Sequence, residues 1–190
     1  MARKLLAALL CAALASGAFA ATLNGVTLRD TYPMNGQTLV LNGIGLRTLT
    51  IFKVKIYVAG LYLAQRSHDA QQILASPGPK VLVLRFLHAG SKAEVEKEYR
   101  AGEAQNCGNG ECAPTDETDF ERLVAAAPAV EPGDTTTYIF TGAGVQVYAN
   151  QTLIGNFANK DLAYRLLAGF IGDHPPSPEL KQALLGLPAG

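Results

Sequence analysis

The sequence predicts an α+β fold, with helices laid against one antiparallel sheet. Three observations predict it. The turn dipeptides Asn24-Gly25, Asn35-Gly36 and Asn42-Gly43 recur with short strand-like runs between them, the pattern of consecutive hairpins. Strand-like and helix-like segments cluster along the chain instead of alternating, which disfavours a parallel sheet. At Ser91 the hydrophobic period changes from that of a strand to that of a helix.

The elements follow in order. Residues Met1 to Ala20, MARKLLAALLCAALASGAFA, carry Arg3 and Lys4, then an apolar stretch, then Ala-Phe-Ala before Ala21. That is the plan of a secretory signal peptide, so the folded domain is expected to span 21–190. VTLRDTYPM and QTLVL read as strands between the first turns. Leu46 to Ile51 and Val54 to Leu63 are rich in β-branched and aromatic residues and read as two more. Asp69 to Leu74 suits a short helix, with Ser67 as its expected cap and Pro77-Gly78-Pro79 ending it. Lys80 to His88 is a further strand. Ser91 and Glu94 form a capping box ahead of a helix that runs through Tyr99 to Cys107. Asp116 to Ala126 is a second amphipathic helix, ended by Pro128, Pro132 and Gly133. Thr135 to Thr141, Gly144 to Ala149 and QTLIGNF form strands. Asp161 to Ile171 and Pro178 to Leu185 are the last helices, the first with Leu162, Leu166, Leu167 and Phe170 in helical register.

Composition narrows the function classes. The chain has 190 residues, with 16 Lys+Arg and 16 Asp+Glu. Removal of the two basic residues of the leader leaves a net charge of about −2, which supplies no electrostatic footprint for nucleic acid. No apolar run beyond the leader approaches the ~18 residues of a membrane span, so no stable membrane insertion is expected. The expected location is the periplasm or the exterior of the cell. Cys107 and Cys112 in NCGNGEC form a close pair that reads, in an exported chain, as a disulfide. The rival reading is half of a metal site, but there is no second cysteine pair, and His68, His88 and His174 are scattered. No pattern calls for a cofactor or a metal. GIGLRT lacks the third glycine of a dinucleotide fingerprint and leads into strand, not helix.

One residue stands out. Arg47 sits beside strand-forming residues in LNGIGLRTLTIFKVKIYVAGLYL. Alternation puts Arg47, Leu49 and Ile51 on one face, and Lys55, Tyr57, Ala59, Leu61 and Leu63 on one face of the next strand. Arg47 and Tyr57 lie ten residues apart, about 33 Å if extended, so they meet only if the chain reverses near Phe52-Lys53. A guanidinium and a phenol would then share a cleft, a pairing suited to a carboxylate or an enolate. The alternative is Arg47 on the wet face of the sheet and Tyr57 in the core.

This stretch closely resembles the chalcone isomerase family, in its bacterial, exported, chalcone-isomerase-like branch. ASPGPKVLVLRFLHAGSKAEVEKEYRAGEAQNC and ANKDLAYRLLAGFIGDHPPSPELKQALLG are similar to the family's next strand and helix and to its C-terminal helices. The resemblance implies an open-faced β-sandwich, a large antiparallel sheet covered by helices, with the ligand in a cleft between the two. It implies that Arg47 matches the arginine that orients a phenolate in the plant enzymes and holds a carboxylate in the fatty-acid binders. Tyr57 falls where the plant enzymes have threonine and the fatty-acid binders tyrosine, although the run between the two positions is about two residues shorter here. Tyr99 and Asn106 keep the seven-residue spacing of a tyrosine and an asparagine on a ligand-facing helix, about two turns apart. Leu180 stands where the plant enzymes place a small polar residue, and NCGNGEC replaces a helical continuation. Those departures, and the leader, weigh against a flavonoid site. The expected activity is therefore binding of a fatty acid or similar amphipathic carboxylate at Arg47 and Tyr57, under a roof drawn from Ile73–Ala75 and Leu162–Phe170. The alternative is an intramolecular lyase that cyclises an enone such as a chalcone to a flavanone, with Arg47 and Tyr57 as catalytic groups.

Overall fold

The computed structural model describes residues 20–34, 36–49, 52–107 and 113–188. The leader before residue 20, Asn35, Thr50, Ile51 and the segment 108–112 lie outside the described residues. So the expected leader, the end of the Leu46–Ile51 strand, Asn35 of the Asn35-Gly36 turn and Cys112 fall outside them. Strand β1 begins at Ala20, one residue ahead of the expected start of the domain.

Nine strands and five helices are described. Strands β1 (Ala20–Leu23) and β2 (Val26–Arg29) make a separate hairpin, turned at Asn24 and Gly25, both at positive φ. The main sheet joins β3 (Thr31–Met34), β4 (Gln37–Leu49), β5 (Val54–Leu63), β6 (Lys80–Phe86), β7 (Thr135–Thr141), β8 (Gly144–Ala149) and β9 (Thr152–Phe157) in that spatial order, every neighbour antiparallel. Helix α1 (Ala70–Ala75) lies between β5 and β6, α2 (Lys92–Cys107) and α3 (Pro114–Ala126) between β6 and β7, and α4 (Lys160–Ile171) and α5 (Pro178–Leu184) after β9. This is the α+β layout expected from the clustering of elements, a sheet with a helical layer.

Local chemistry explains most of the boundaries. Glu94 accepts from the Ser91 backbone N–H at 2.8 Å, and the Glu94 N–H is directed at the Ser91 hydroxyl at 3.3 Å, the expected capping box. Asn159 caps α4 by accepting from the N–H groups of Asp161 and Leu162. Ser177 caps α5, with Pro178 in its first turn. For α1 the expected cap is corrected. Asp69, not Ser67, accepts from the N–H groups of Gln71 and Gln72, while the Ser67 hydroxyl accepts from the Asp69 N–H. A carboxylate at the cap position is the stronger acceptor.

Two bulges decide which side chains face the helices. The expected turn at Asn42-Gly43 is instead a bulge inside one 13-residue strand. Leu41 pairs with Tyr62 and Gly43 with Leu61, so Asn42 is the extra residue. Its side chain is held three ways. Nδ2 donates to the Ser67 carbonyl at 3.0 Å and to the Leu184 carbonyl at 2.8 Å, and Oδ1 accepts from the Ser67 N–H at 2.8 Å. Before the bulge, Leu39 and Leu41 face away from the helices and pack with Tyr62 and Val81 under β1 and β3. After it, Gly43, Gly45 and Arg47 share a face with Leu61, Ala59 and Tyr57, which belong to the core beneath the helices. A second irregularity lies at Ile56, because Arg47 pairs with Tyr57 but Thr48 pairs with Lys55. This corrects the expected grouping of Lys55 with Tyr57. Thr48 and Lys55 pair on the face opposite Arg47, and Lys55 is exposed.

The glycines of GIG have a packing reason. A Cβ on Gly43 would overlap the carbonyl oxygen of Ala183, and one on Gly45 would stand 2.8 Å from Leu180 Cδ1. Helix α5 rests directly on β4 there. Leu180 is fully buried in this contact and belongs to the core.

Candidate functional site

Between sheet and helices lies a cavity of about 630 Å³, within the usual range for small-molecule sites of roughly 300–1,000 Å³. Its floor is built on one rung of the sheet, where Arg47 of β4 pairs with Tyr57 of β5 and Tyr57 with Phe86 of β6. The reversal that makes this rung sits at Phe52 and Lys53, as expected, with Lys53 at φ 48°. Tyr57 and Phe86 meet edge to face, ring centres 5.8 Å apart. Thr136 and Tyr138 of β7 and Ile154 of β9 extend the floor. The roof comes from Val95, Glu98, Tyr99, Gly102 and Asn106 of α2, which repeat at helical spacing, and from Leu162, Leu166, Gly169 and Phe170 of α4. Phe120 and Asp116 of α3 close one side. Of the two expected roof segments, only the α4 one lines the cavity. Ile73 and Leu74 of α1 are buried in the core instead.

All four residues expected to touch a ligand border this space: Arg47, Tyr57, Tyr99 and Asn106. The Arg47 guanidinium is half-buried and donates from Nη1 to the Thr48 carbonyl at 2.9 Å. Among the described residues it forms no ion pair. A guanidinium has five N–H donors, so most of its donor capacity remains for a ligand. The Tyr99 and Tyr138 hydroxyls bond each other at 2.6 Å. Asn106 turns its amide onto its own helix, donating to the Gly102 carbonyl at 2.8 Å. It lines the wall beside Tyr99 while one of its donors is already engaged.

The electrostatics keep the phenols neutral. Burial raises Tyr57 far above the ordinary phenol range, with Arg47 pulling it down and Glu98 and Tyr99 pushing it up. Burial pushes Tyr99 up to about 12, against the lowering effect of its bond to Tyr138. Tyr138 is raised by burial and by its neighbours Tyr99 and Tyr57. At neutral pH the Arg47 guanidinium thus shares the cavity with three neutral hydroxyls, while the Arg165–Asp116 pair and Glu98 also border it. The guanidinium and hydroxyls suit a carboxylate or an enolate oxygen, which takes a charged donor and neutral donors together.

Several lining groups were not singled out in the sequence. Tyr138 lies in TTTYIFT, where alternation marks an inward position but not the helix residue it meets. Arg165 of α4 pairs with Asp116 at 3.2 Å and donates to Cys107 Sγ at 3.2 Å. No spacing links those three positions. Of the scattered histidines, His88 and His174 border the cavity, while His68 bonds the Leu185 carbonyl. Among the described residues no helix is long and apolar enough to cross a membrane.

The comparisons agree with this architecture. A search of curated proteins finds no match. Among solved structures, the crystal structure of the Arabidopsis thaliana fatty-acid binding protein AtFAP1 superposes with a TM-score of 0.70, at 12% identity, over 88% of this chain and 96% of that one. At that identity the likeness speaks for the fold. The family described as chalcone isomerase-like matches residues 20–186. With that match over nearly the whole described chain, this protein belongs to the chalcone isomerase-like family.

Proposed function

We propose that this protein binds a fatty acid or similar amphipathic carboxylate between its sheet and its helices. The carrying observation is the half-buried Arg47 guanidinium, without an ion pair among the described residues, set opposite Tyr57 in a mostly apolar cavity. In this reading the carboxylate accepts from Arg47 and Tyr57, Tyr99 and Tyr138 supply further neutral hydroxyls, and the chain lies along Phe86, Leu166 and Phe170. The fatty-acid binding named for the structurally similar plant protein supports it. The test is mass spectrometry of co-purifying lipid, followed by titration with a long-chain fatty acid, wild type beside Arg47→Ala. Loss of a charge-assisted hydrogen bond costs ~1.5–3 kcal/mol, so affinity should fall by about ten- to a hundredfold. Unchanged affinity in a folded Arg47→Ala protein overturns the reading.

The second reading is cyclisation of an enone such as a chalcone. The neutral phenols beside the guanidinium favour it, because they suit a developing enolate. It requires turnover of a chalcone that falls strongly in Arg47→Ala. We further propose that the protein is of the bacterial exported branch, cleaved before Ala21, and that Cys107 is bridged to Cys112. The N-terminal sequence of the secreted form checks the first. Thiol alkylation with and without reductant checks the second, since a bridged pair is labelled only after reduction.

A further inference from the structure

The hairpin end between β4 and β5 gathers exposed apolar and basic side chains. Phe52 is 81% exposed, the most exposed large apolar side chain among the described residues. Leu49 is also exposed. Lys53 and Lys55 beside them are exposed. From Thr48 to Lys55 the chain carries two exposed lysines and no acid, although the protein as a whole is balanced in charge. The tip is also continuous with the cavity. Leu49 pairs with Val54, and both line the cavity together with Arg47.

We propose that this tip docks on an anionic lipid bilayer and sets the cavity rim against it. An exposed aromatic flanked by lysines matches such a surface on both counts. The ring enters the boundary between headgroups and chains, and the ammonium groups meet the negative surface potential. An acidic protein surface would satisfy the lysines but would need its own apolar pocket for Phe52. The bilayer is also the reservoir of a poorly soluble amphiphile, and to that extent the inference rests on the lipid-binding reading above. Docking places Leu49 and Val54 where a chain leaving the bilayer first meets the protein.

The experiment is co-sedimentation of the mature protein, stripped of lipid, with vesicles of phosphatidylcholine alone and of phosphatidylcholine mixed with phosphatidylglycerol. The expected result is partition onto the mixed vesicles that weakens as salt rises. The Phe52→Ser/Lys55→Glu variant should partition at least tenfold less, since neither side chain borders the cavity and its affinity for a soluble short-chain fatty acid should be unchanged. Equal partition onto both vesicle types, no partition onto either, or a variant that binds like wild type overturns the proposal. The two readings fail separately. Arg47→Ala tests the cavity in solution, while the vesicle experiment tests the tip on ligand-free protein.

Discussion

Asn42→Ala tests the bulge that delivers Arg47 to the cavity. The Asn42 side chain makes three hydrogen bonds, to the Ser67 carbonyl, the Ser67 N–H and the Leu184 carbonyl, and the last of these is buried. Each is worth ~1 kcal/mol net, and a buried carbonyl left without a partner costs a further ~1 kcal/mol or more. The Ser67 groups are only part-buried and regain water, so we expect a loss of about 3 kcal/mol. Far-UV circular dichroism during urea unfolding measures it. With a slope of ~2 kcal/mol per molar urea, the midpoint should fall by about 1.5 M at unchanged slope. Asn42→Asp is the informative partner. It retains an acceptor for the Ser67 N–H but turns a carboxylate toward two carbonyl oxygens, so it should be no more stable than Asn42→Ala. A midpoint shift below about 0.3 M for Asn42→Ala, or an Asn42→Asp protein near wild-type stability, would refute the argument that this side chain clamps the bulge.

The other predictions concern packing and titration. Gly43→Ala places a Cβ against the Ala183 carbonyl and must push α5 off β4. A cost of ~2–3 kcal/mol is expected in the same urea assay. Tyr99 is raised to about 12, so the stability it contributes is fully present below the ordinary phenol value near 10 and is lost as pH rises through 12. Spectrophotometric titration of the folded protein should show delayed phenolate formation, and Tyr99→Phe should remove part of the delayed component. Glu94 lies below its ordinary value because the Ser91 hydroxyl and backbone N–H both bond its carboxylate. Its contribution is present above the unfolded value near 4.5 and is lost as pH falls through the folded one. The gap in urea midpoint between wild type and Glu94→Gln should therefore close on acidification.

Much of this protein is legible along the chain because its causes are local. The capping box at Ser91 and Glu94, the glycine turn after Asn24 and the alternation of Thr135 to Thr141 act within a few residues. The reversal at Phe52 and Lys53 is local too, but the pairing of Arg47 with Tyr57 depends on the irregularity at Ile56. The seven-residue spacing of Tyr99 and Asn106 puts both on one face of α2, a face that the family resemblance, not the spacing, assigned to a ligand. Asn42-Gly43 misleads for a definite reason. The dipeptide suits a hairpin turn, yet Ser67 and Leu184, distant in sequence, hold it as a bulge.

By itself, then, the sequence determined most of the elements, their antiparallel character and the residue types available for an anion site, but not that QTLVL and the stretch through Leu49 form one strand. Tertiary structure alone decided the face. Counted by simple alternation from Leu39, Arg47 points away from the helices. One extra residue at Asn42 reverses that parity and turns the guanidinium into the cavity. The bonds that hold the extra residue come from partners 25 and 142 positions away, and no periodicity within a strand encodes them.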